Sequence, residues 1–279
     1  MSEQRQKNIL AIHDISGVGR CSLTVALPII SSCGITVSAL PTAILSTHTG
    51  EIPDYVSVDF TDKMEAFAEH WKKLGVKFDA IYTGYLGSLK QIDIVCKIID
   101  EFKEPDTLVV VDPVMADNGV MYANFDKKFA KSMHNLCEKA DYIVPNLTEA
   151  AFLLDKEYLS GPYTEEYIKE ILTGLSALSK KGVVLTGTYF DNETLGAAYA
   201  EKNTNTVGYS MGPKYDGMFY GTGDVFASCF VAMLTKGKTI RESAETATYF
   251  TNKSIESTVN LKTDRRMGVA FEYHLNLLN

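Results

Sequence analysis

Nine consecutive residues carry the densest chemistry in the chain: Tyr220-Gly221-Thr222-Gly223-Asp224-Val225-Phe226-Ala227-Ser228. Two glycines flank a threonine, one acid follows, and an apolar segment continues through Phe230-Val231-Ala232-Met233-Leu234. The apolar run reads as a helix, which places Gly221 to Gly223 at its N-terminus. Glycine lets backbone N–H groups converge there, and the helix dipole adds partial positive charge, so the spot suits an anion. An acid beside an anion is repulsive unless it takes part in a reaction. Asp224 can remove a proton from an attacking hydroxyl while the amides of Gly221, Thr222 and Gly223 stabilise a moving phosphoryl group. The same nine residues also fit an ordinary Gly-rich turn with an acid in the first helical turn.

Other polar clusters close apolar runs elsewhere. Asp14-Ile15-Ser16-Gly17-Val18-Gly19-Arg20 follows the first such run, but Ser22 stands where a dinucleotide fingerprint needs its third glycine. Asp112, Asp117 and Glu149 are oxygen donors suited to Mg²⁺, mostly through water, since Mg²⁺ keeps part of its hydration shell. Asp112 equally suits a strand end or a cap. Asn146 suits phosphate oxygens, metal-bound water or a helix cap. Thr186 and Gly187 fit nucleotide phosphates or a plain strand exit. Tyr85, between Gly84 and Gly87, offers a flat face and a hydroxyl to a planar ring, or is a half-buried aromatic. His48, flanked by Thr47 and Thr49, is placed to donate to a substrate oxygen; a lone histidine is more often structural. His13, His70, His134 and His274 receive no role. Nothing around Cys21 marks an activated thiolate.

These residues need a scaffold, and the apolar pattern supplies one. Strands are expected at Asn8–His13, Thr36–Leu40, Ala80–Thr83, Thr107–Asp112, Tyr142–Val144 and Gly182–Thr186, with two more within 195–209. Helices are expected at Ser22–Ser32, with Pro28 able to kink it, and at Thr61–Leu74, Gln91–Phe102, Phe125–Cys137, Thr148–Leu154, Glu165–Leu178 and Arg241–Ser257. Asp14–Arg20 and Ile44–Gly50 read as loops. The alternation predicts an α/β fold with a mostly parallel central sheet and helices on both faces, and ligands outside the C-terminal strand ends.

Composition narrows the classes. The chain has 279 residues, 46% hydrophobic, which suits one large domain. A net charge of −8 disfavours nucleic acid and anionic membrane as partners. No apolar run reaches the roughly 18–20 residues of a membrane span, and the start, Met1 to Lys7, is polar with no secretory pattern. Five scattered cysteines without a C-x-x-C pair read as reduced cytosolic thiols.

Gly221-Thr222-Gly223-Asp224 before an apolar helix resembles the signature of the ribokinase superfamily. Within it the chain is most similar to pyridoxal kinases, on four further motifs in family order: Ser46-Thr47-His48-Thr49-Gly50, Thr83-Gly84-Tyr85-Leu86-Gly87-Ser88, Asp112-Pro113-Val114-Met115 with Asp117, and Pro145-Asn146-Leu147-Thr148-Glu149. The resemblance implies one ribokinase-like kinase domain over residues 1–279. It implies ATP-dependent phosphorylation of the 5′-hydroxymethyl group of pyridoxal, pyridoxine or pyridoxamine. It makes Asp224 the base and Gly221, Thr222 and Gly223 the anion hole. Asp14, Val18, Thr47, His48, Thr49 and Tyr85 fall on the substrate side. Asp112, Asn146, Thr186, Gly187 and Thr222 fall at the nucleotide, and Asp112, Asp117 and Glu149 at Mg²⁺. A monovalent cation near the phosphates and a homodimer are implied too; the cytoplasmic setting is expected from the scattered thiols and the polar start.

One departure stands out. Pyridoxal kinases carry Ser-His in the first loop; here it is Asp14-Ile15, in a shorter loop. Asp14-x-Ser16-Gly17-x-Gly19 resembles hydroxymethylpyrimidine kinases of the same superfamily. Asp14 accepts hydrogen bonds only, so it is expected to meet a ring N–H⁺ or an amine of the substrate, or else to cap the following turn. Hydroxymethylpyrimidine kinase is the alternative enzyme. A sugar kinase is disfavoured by Tyr85 and Thr47-His48-Thr49, and a silent vitamer- or nucleotide-binding protein by the full set of acids.

Overall fold

The computed structural model describes residues 5–123, 125–204 and 207–279. The polar start at 1–4 and positions 205–206, within the span expected to hold two strands, lie outside them. Among the described residues eleven strands form: β1 (Asn8–Val18), β2 (Thr36–Thr47), β3 (Ser57–Asp59), β4 (Ala80–Thr83), β5 (Leu108–Val111), β6 (Ala116–Asp117), β7 (Val120–Met121), β8 (Tyr142–Ile143), β9 (Gly182–Thr188), β10 (Thr194–Glu201) and β11 (Val207–Pro213). Nine build the main sheet in the order β11-β10-β9-β8-β5-β4-β1-β2-β3; β6 and β7 form a separate small hairpin. From β2 to β9 every neighbouring pair is parallel. The edges β3, β10 and β11 are antiparallel.

The central strands are near-continuous apolar runs because both faces are covered. Their residues alternate between two layers. Leu10, Ile12, Val109 and Val111 pack with α2 (Thr61–Lys73), α3 (Leu89–Phe102), α4 (Lys127–Cys137), α5 (Leu147–Leu153) and α6 (Glu165–Ser176). Ile9, Ala11 and Val110 face α1 (Leu23–Ser32), α7 (Thr222–Thr235) and α8 (Ile240–Leu261). Every residue of α7 from Val225 to Thr235 is buried, so this helix is apolar all round because it lies between the sheet, α1 and α8. Phe230 is fully buried there, and its truncation to Ala costs about 3–5 kcal/mol. Pro28 sits inside α1 without dividing it.

Two expected loops are strand. β1 continues past His13 to Val18, pairing Ile15 with Ile44, Ser16 with Leu45 and Val18 with Thr47. β2 likewise runs through Pro41. The register shifts between His13 and Ile15, opposite Pro41, so the missing proline N–H falls where the ladder is already interrupted.

Candidate active site

The pocket opens at the carboxyl ends of the parallel strands, a cavity of about 910 Å³. Side chains cap α3, α4, α5, α6 and α8. None caps α7, whose first turn faces the pocket with its N–H groups available to a ligand. Gly221 turns the chain into that helix with φ +74°, and a Cβ on it would lie 2.1 Å from the Arg20 carbonyl oxygen. Only glycine satisfies both demands. Gly223 faces open space, leaving room for a ligand to approach.

Asp224 stands in that first turn. Its Oδ2 accepts the Ser22 N–H at 2.8 Å, and its Oδ1 lies 3.0 Å from His13 Nε2. His13 Nδ1 is in turn 2.8 Å from Asp14 Oδ1. A carboxylate only accepts, so an imidazolium, with a proton on each nitrogen, satisfies both of these contacts. A neutral ring would instead accept at Nδ1 from the Asp14 or Tyr85 N–H, 3.0 and 3.1 Å away, and set a lone pair against Asp14 Oδ1. Burial pulls the His13 pKa down, but the hydrogen bonds and charges of Asp14 and Asp224 outweigh it and push it up to about 10.

A second group of acids lines the pocket beside α5. Burial and the charge of Asp224 push Asp112 up to about 8, while His13 acts the other way. Its buried carboxylate has no hydrogen-bond donor among the described residues, the state of a group that awaits a cation. Glu149 is pushed up by burial and then by the charge of Asp112, although its oxygens accept the N–H groups of Met115 and Asn146 at 3.1 and 2.9 Å. Asp117 is exposed at the rim and accepts from Asn118. No three His, Cys, Asp or Glu among the described residues cluster closely enough to hold a metal by themselves. One free buried carboxylate with further acids nearby fits a divalent ion that retains water.

Aromatic residues line the cavity as well. Tyr85 lies 5.7 Å from Phe125, which stacks on Phe129 at 3.7 Å; Tyr55 also lines it, and Tyr122 stands near the acids, whose charges act on its hydroxyl. Burial, then the charge of Asp14, raises the Tyr85 hydroxyl to about 12, so it stays a neutral donor. The loop before α7 lines the pocket too: Tyr220 packs on His48 at 5.0 Å, and Arg265 lies 4.5 Å over Phe219.

The profile of the family described as Phosphomethylpyrimidine kinase matches residues 30–268. The pyridoxal kinase of Lactobacillus plantarum superposes with a TM-score of 0.90 at 30% identity, over 98% of this chain and 97% of that one. This chain belongs to the family of pyridoxal and phosphomethylpyrimidine kinases. A Bacteroides thetaiotaomicron protein assigned as a phosphomethylpyrimidine kinase and crystallised with pyridoxal gives a TM-score of 0.93 at 41% identity, over 98% and 96%. Dictyostelium discoideum pyridoxal kinase is 29% identical over 176 residues, 59% of this chain and about half, 55%, of that protein.

With the family in place, the expected residues sort cleanly. Asp14, His48, Thr49, Tyr85, Asp112, Asp117, Asn146, Glu149, Thr186, Gly187, Gly221, Thr222, Gly223 and Asp224 all line the cavity. Val18 does not: the extended β1 carries it outward, 58% exposed. Thr47 is likewise absent from the lining, its hydroxyl buried without a partner. Both shift for one reason, the strand pairing of residues 15–18 with 44–47 in place of the expected loops. His48 reaches the cavity wall but is bonded within the protein. Its Nε2 contacts the Arg266 carbonyl and its Nδ1 accepts the Gly50 N–H at 3.1 Å, so the protein occupies both nitrogens. Asn146 is a cap: Oδ1 accepts the Glu149 N–H and Nδ2 donates to the Ala116 carbonyl, both at 2.9 Å. Asp14 lies in β1 and caps nothing. Cys21 is buried, and burial with the charges of Asp224 and Asp14 pushes its thiol up, so it is no thiolate. The residue sequence reasoning missed is His13. Its one signal was adjacency to Asp14 at a strand's pocket end; its other partner is 211 positions away.

Proposed function

We propose that this chain, as a single kinase domain, transfers the γ-phosphoryl group of ATP to the 5′-hydroxymethyl group of pyridoxal, pyridoxine or pyridoxamine. The observation that carries the reading is the placement of Asp224. The carboxylate is fixed by two donors in the first turn of the uncapped α7, in one cavity with an aromatic wall and an unpartnered buried acid. The family relation supports it, as does the crystallisation of the Bacteroides relative with pyridoxal.

In this reading Asp224 accepts the hydroxyl proton as the substrate oxygen attacks the γ-phosphorus. The bond from that phosphorus to the β–γ bridging oxygen breaks, and ADP leaves. The α7 amides of Thr222 and Gly223 hold the transferring oxygens in a site pre-set by Gly221. Thr186 and Gly187, at the end of β9, face the nucleotide. Bound Mg²⁺ would supply positive charge at the β- and γ-phosphates, held by Asp112 with Asp117 and Glu149 nearby. Tyr85 and Phe125 receive the pyridine ring, and the loop carrying Phe219 and Tyr220 keeps water out. The proposal extends to a monovalent cation at the phosphates and a homodimer, both supported by family resemblance, and to a cytoplasmic setting, supported by the scattered thiols and the polar start. Among the described residues no helix is long and apolar enough to cross a membrane.

Hydroxymethylpyrimidine phosphorylation is the second reading. Asp14-x-Ser16-Gly17-x-Gly19 and the matched profile favour it. A coupled ADP-release assay across the three vitamers, hydroxymethylpyrimidine and common sugars decides. Turnover with a vitamer at the highest kcat/KM is expected. Preference for hydroxymethylpyrimidine or a sugar overturns the assignment.

A further inference from the structure

His13 is the least exposed polar group of the site, with 2% of its side chain accessible, and it touches both Asp14 and Asp224. The fold makes room for it deliberately. A Cβ at Gly84 would lie 2.0 Å from His13 Cδ2, so the ring occupies space that only a glycine on β4's exit leaves free. The β1 irregularity directly after His13 breaks the strand's regular alternation, and His13 and Asp14, adjacent in sequence, meet through their side chains. Two carboxylates enter this dry space from different elements, one on β1 and one on α7. Without a donor between them they would repel each other and turn independently.

We propose that His13 is a positioning residue: it donates from Nε2 to Asp224 and from Nδ1 to Asp14, and so fixes the plane of the base carboxylate and links it to the substrate wall. Ser22 N–H holds the second oxygen of Asp224. With one donor on each oxygen, the carboxylate cannot rotate, and a remaining lone pair stays aimed at the incoming hydroxyl. Asp14 then acts first on His13, with one oxygen, while Oδ2 has no donor among the described residues and the residue lines the cavity. The inference rests on Asp224 being the base of the proposed reaction.

Steady-state kinetics with the preferred vitamer and MgATP test it, on wild type, His13→Ala, His13→Gln, Asp14→Asn, the His13→Ala/Asp14→Asn double variant and Asp224→Asn. His13→Ala should lower kcat about 10- to 100-fold, the worth of a charge-assisted hydrogen bond that orders a reacting group. KM for MgATP should stay within about twofold. His13→Gln, which keeps an N–H near the position of Nε2, should recover part of kcat. Asp14→Asn should lower kcat when alone and add less than that loss in the His13→Ala background, because the two act as one unit. If His13→Ala does not fold, His13→Gln and Asp14→Asn carry the test through the same split between kcat and KM. Wild-type kcat in folded His13→Ala overturns the proposal, as does a lowered Tm with kcat unchanged at a permissive temperature. Full additivity of the two substitutions overturns the link. Failure of the functional reading looks different: wild type itself would phosphorylate no vitamer, or Asp224→Asn would remain active.

Discussion

Gly221→Ala and Gly223→Ala differ by two positions and should fail in different ways. At position 221 the backbone has φ +74°, which costs an L-residue about 1–2 kcal/mol. The new methyl would also lie 2.1 Å from the Arg20 carbonyl oxygen. That carbonyl cannot simply step aside, because the Arg20 N–H is bonded to Met267 at 2.9 Å and Gly268 packs on the same oxygen. A backbone shift of this kind adds about 1–3 kcal/mol. The sum, about 2–5 kcal/mol, lowers Tm by roughly 3–9 °C in a chain of this size. The first turn of α7 moves with it, and misplacing the amides by about 1 Å costs roughly 10²-fold in kcat. At 223 the backbone is helical and nothing lies within 4 Å of the new methyl. Gly223→Ala should keep or raise Tm, since Ala is favoured over Gly in a helix by up to about 1 kcal/mol. Its methyl instead enters the space of the phosphates and should raise KM for MgATP. Scanning calorimetry with the coupled ADP-release assay reads both. Equal Tm and equal kcat for Gly221→Ala and wild type would refute the reasoning, as would a Gly223→Ala protein that binds ATP normally.

Three further outcomes are expected. Asp112 sits in the folded protein near 8, above its usual value of 3.8, so the stability it costs on ionising is absent below pH 4 and accrues as pH rises through 8. Nucleotide-free Asp112→Asn should therefore melt above wild type at pH 8–9 while losing activity, and a lower Tm there would count against the burial argument. Glu149→Gln leaves one of two backbone N–H groups without its acceptor, at about 1–3 kcal/mol, and should lower Tm and raise the half-saturating Mg²⁺; an unchanged Mg²⁺ titration contradicts a role at the metal. His13 titrates near 10 folded against about 6.5 unfolded, so its stabilisation is full below pH 6.5 and lost as pH rises through 10. The Tm advantage of wild type over His13→Gln should shrink across that window, and a constant difference would show that the ring is not charged.

What the sequence disclosed was what local pattern can carry. The β-branched run at Leu108–Val111 and the all-apolar α7 were readable because burial on every side leaves a continuous apolar signal. The ends of β1 and β2 were not. Ser16-Gly17-Val18 and Ser46-Thr47 carry loop residues, and only their mutual pairing makes them strand. β3 is fully exposed, so no alternation marks it. Asp224 was legible because the Gly221-Thr222-Gly223 loop directly precedes it on the chain. His13 was not, because the group that gives it meaning comes from α7, at the far end of the sequence. His48 shows the converse: a suggestive neighbourhood of threonines, yet its nitrogens are spent on Arg266 and Gly50.

In the proposed reaction Asp224 takes the hydroxyl proton in phosphoryl transfer from ATP to a B6 vitamer. The most direct measurement is single-turnover formation of the phosphorylated vitamer by wild type and Asp224→Asn, with ATP binding measured by calorimetry on both. A transfer rate lowered by roughly 10²–10⁴-fold with ATP affinity unchanged is expected. A near-wild-type rate in Asp224→Asn would contradict it.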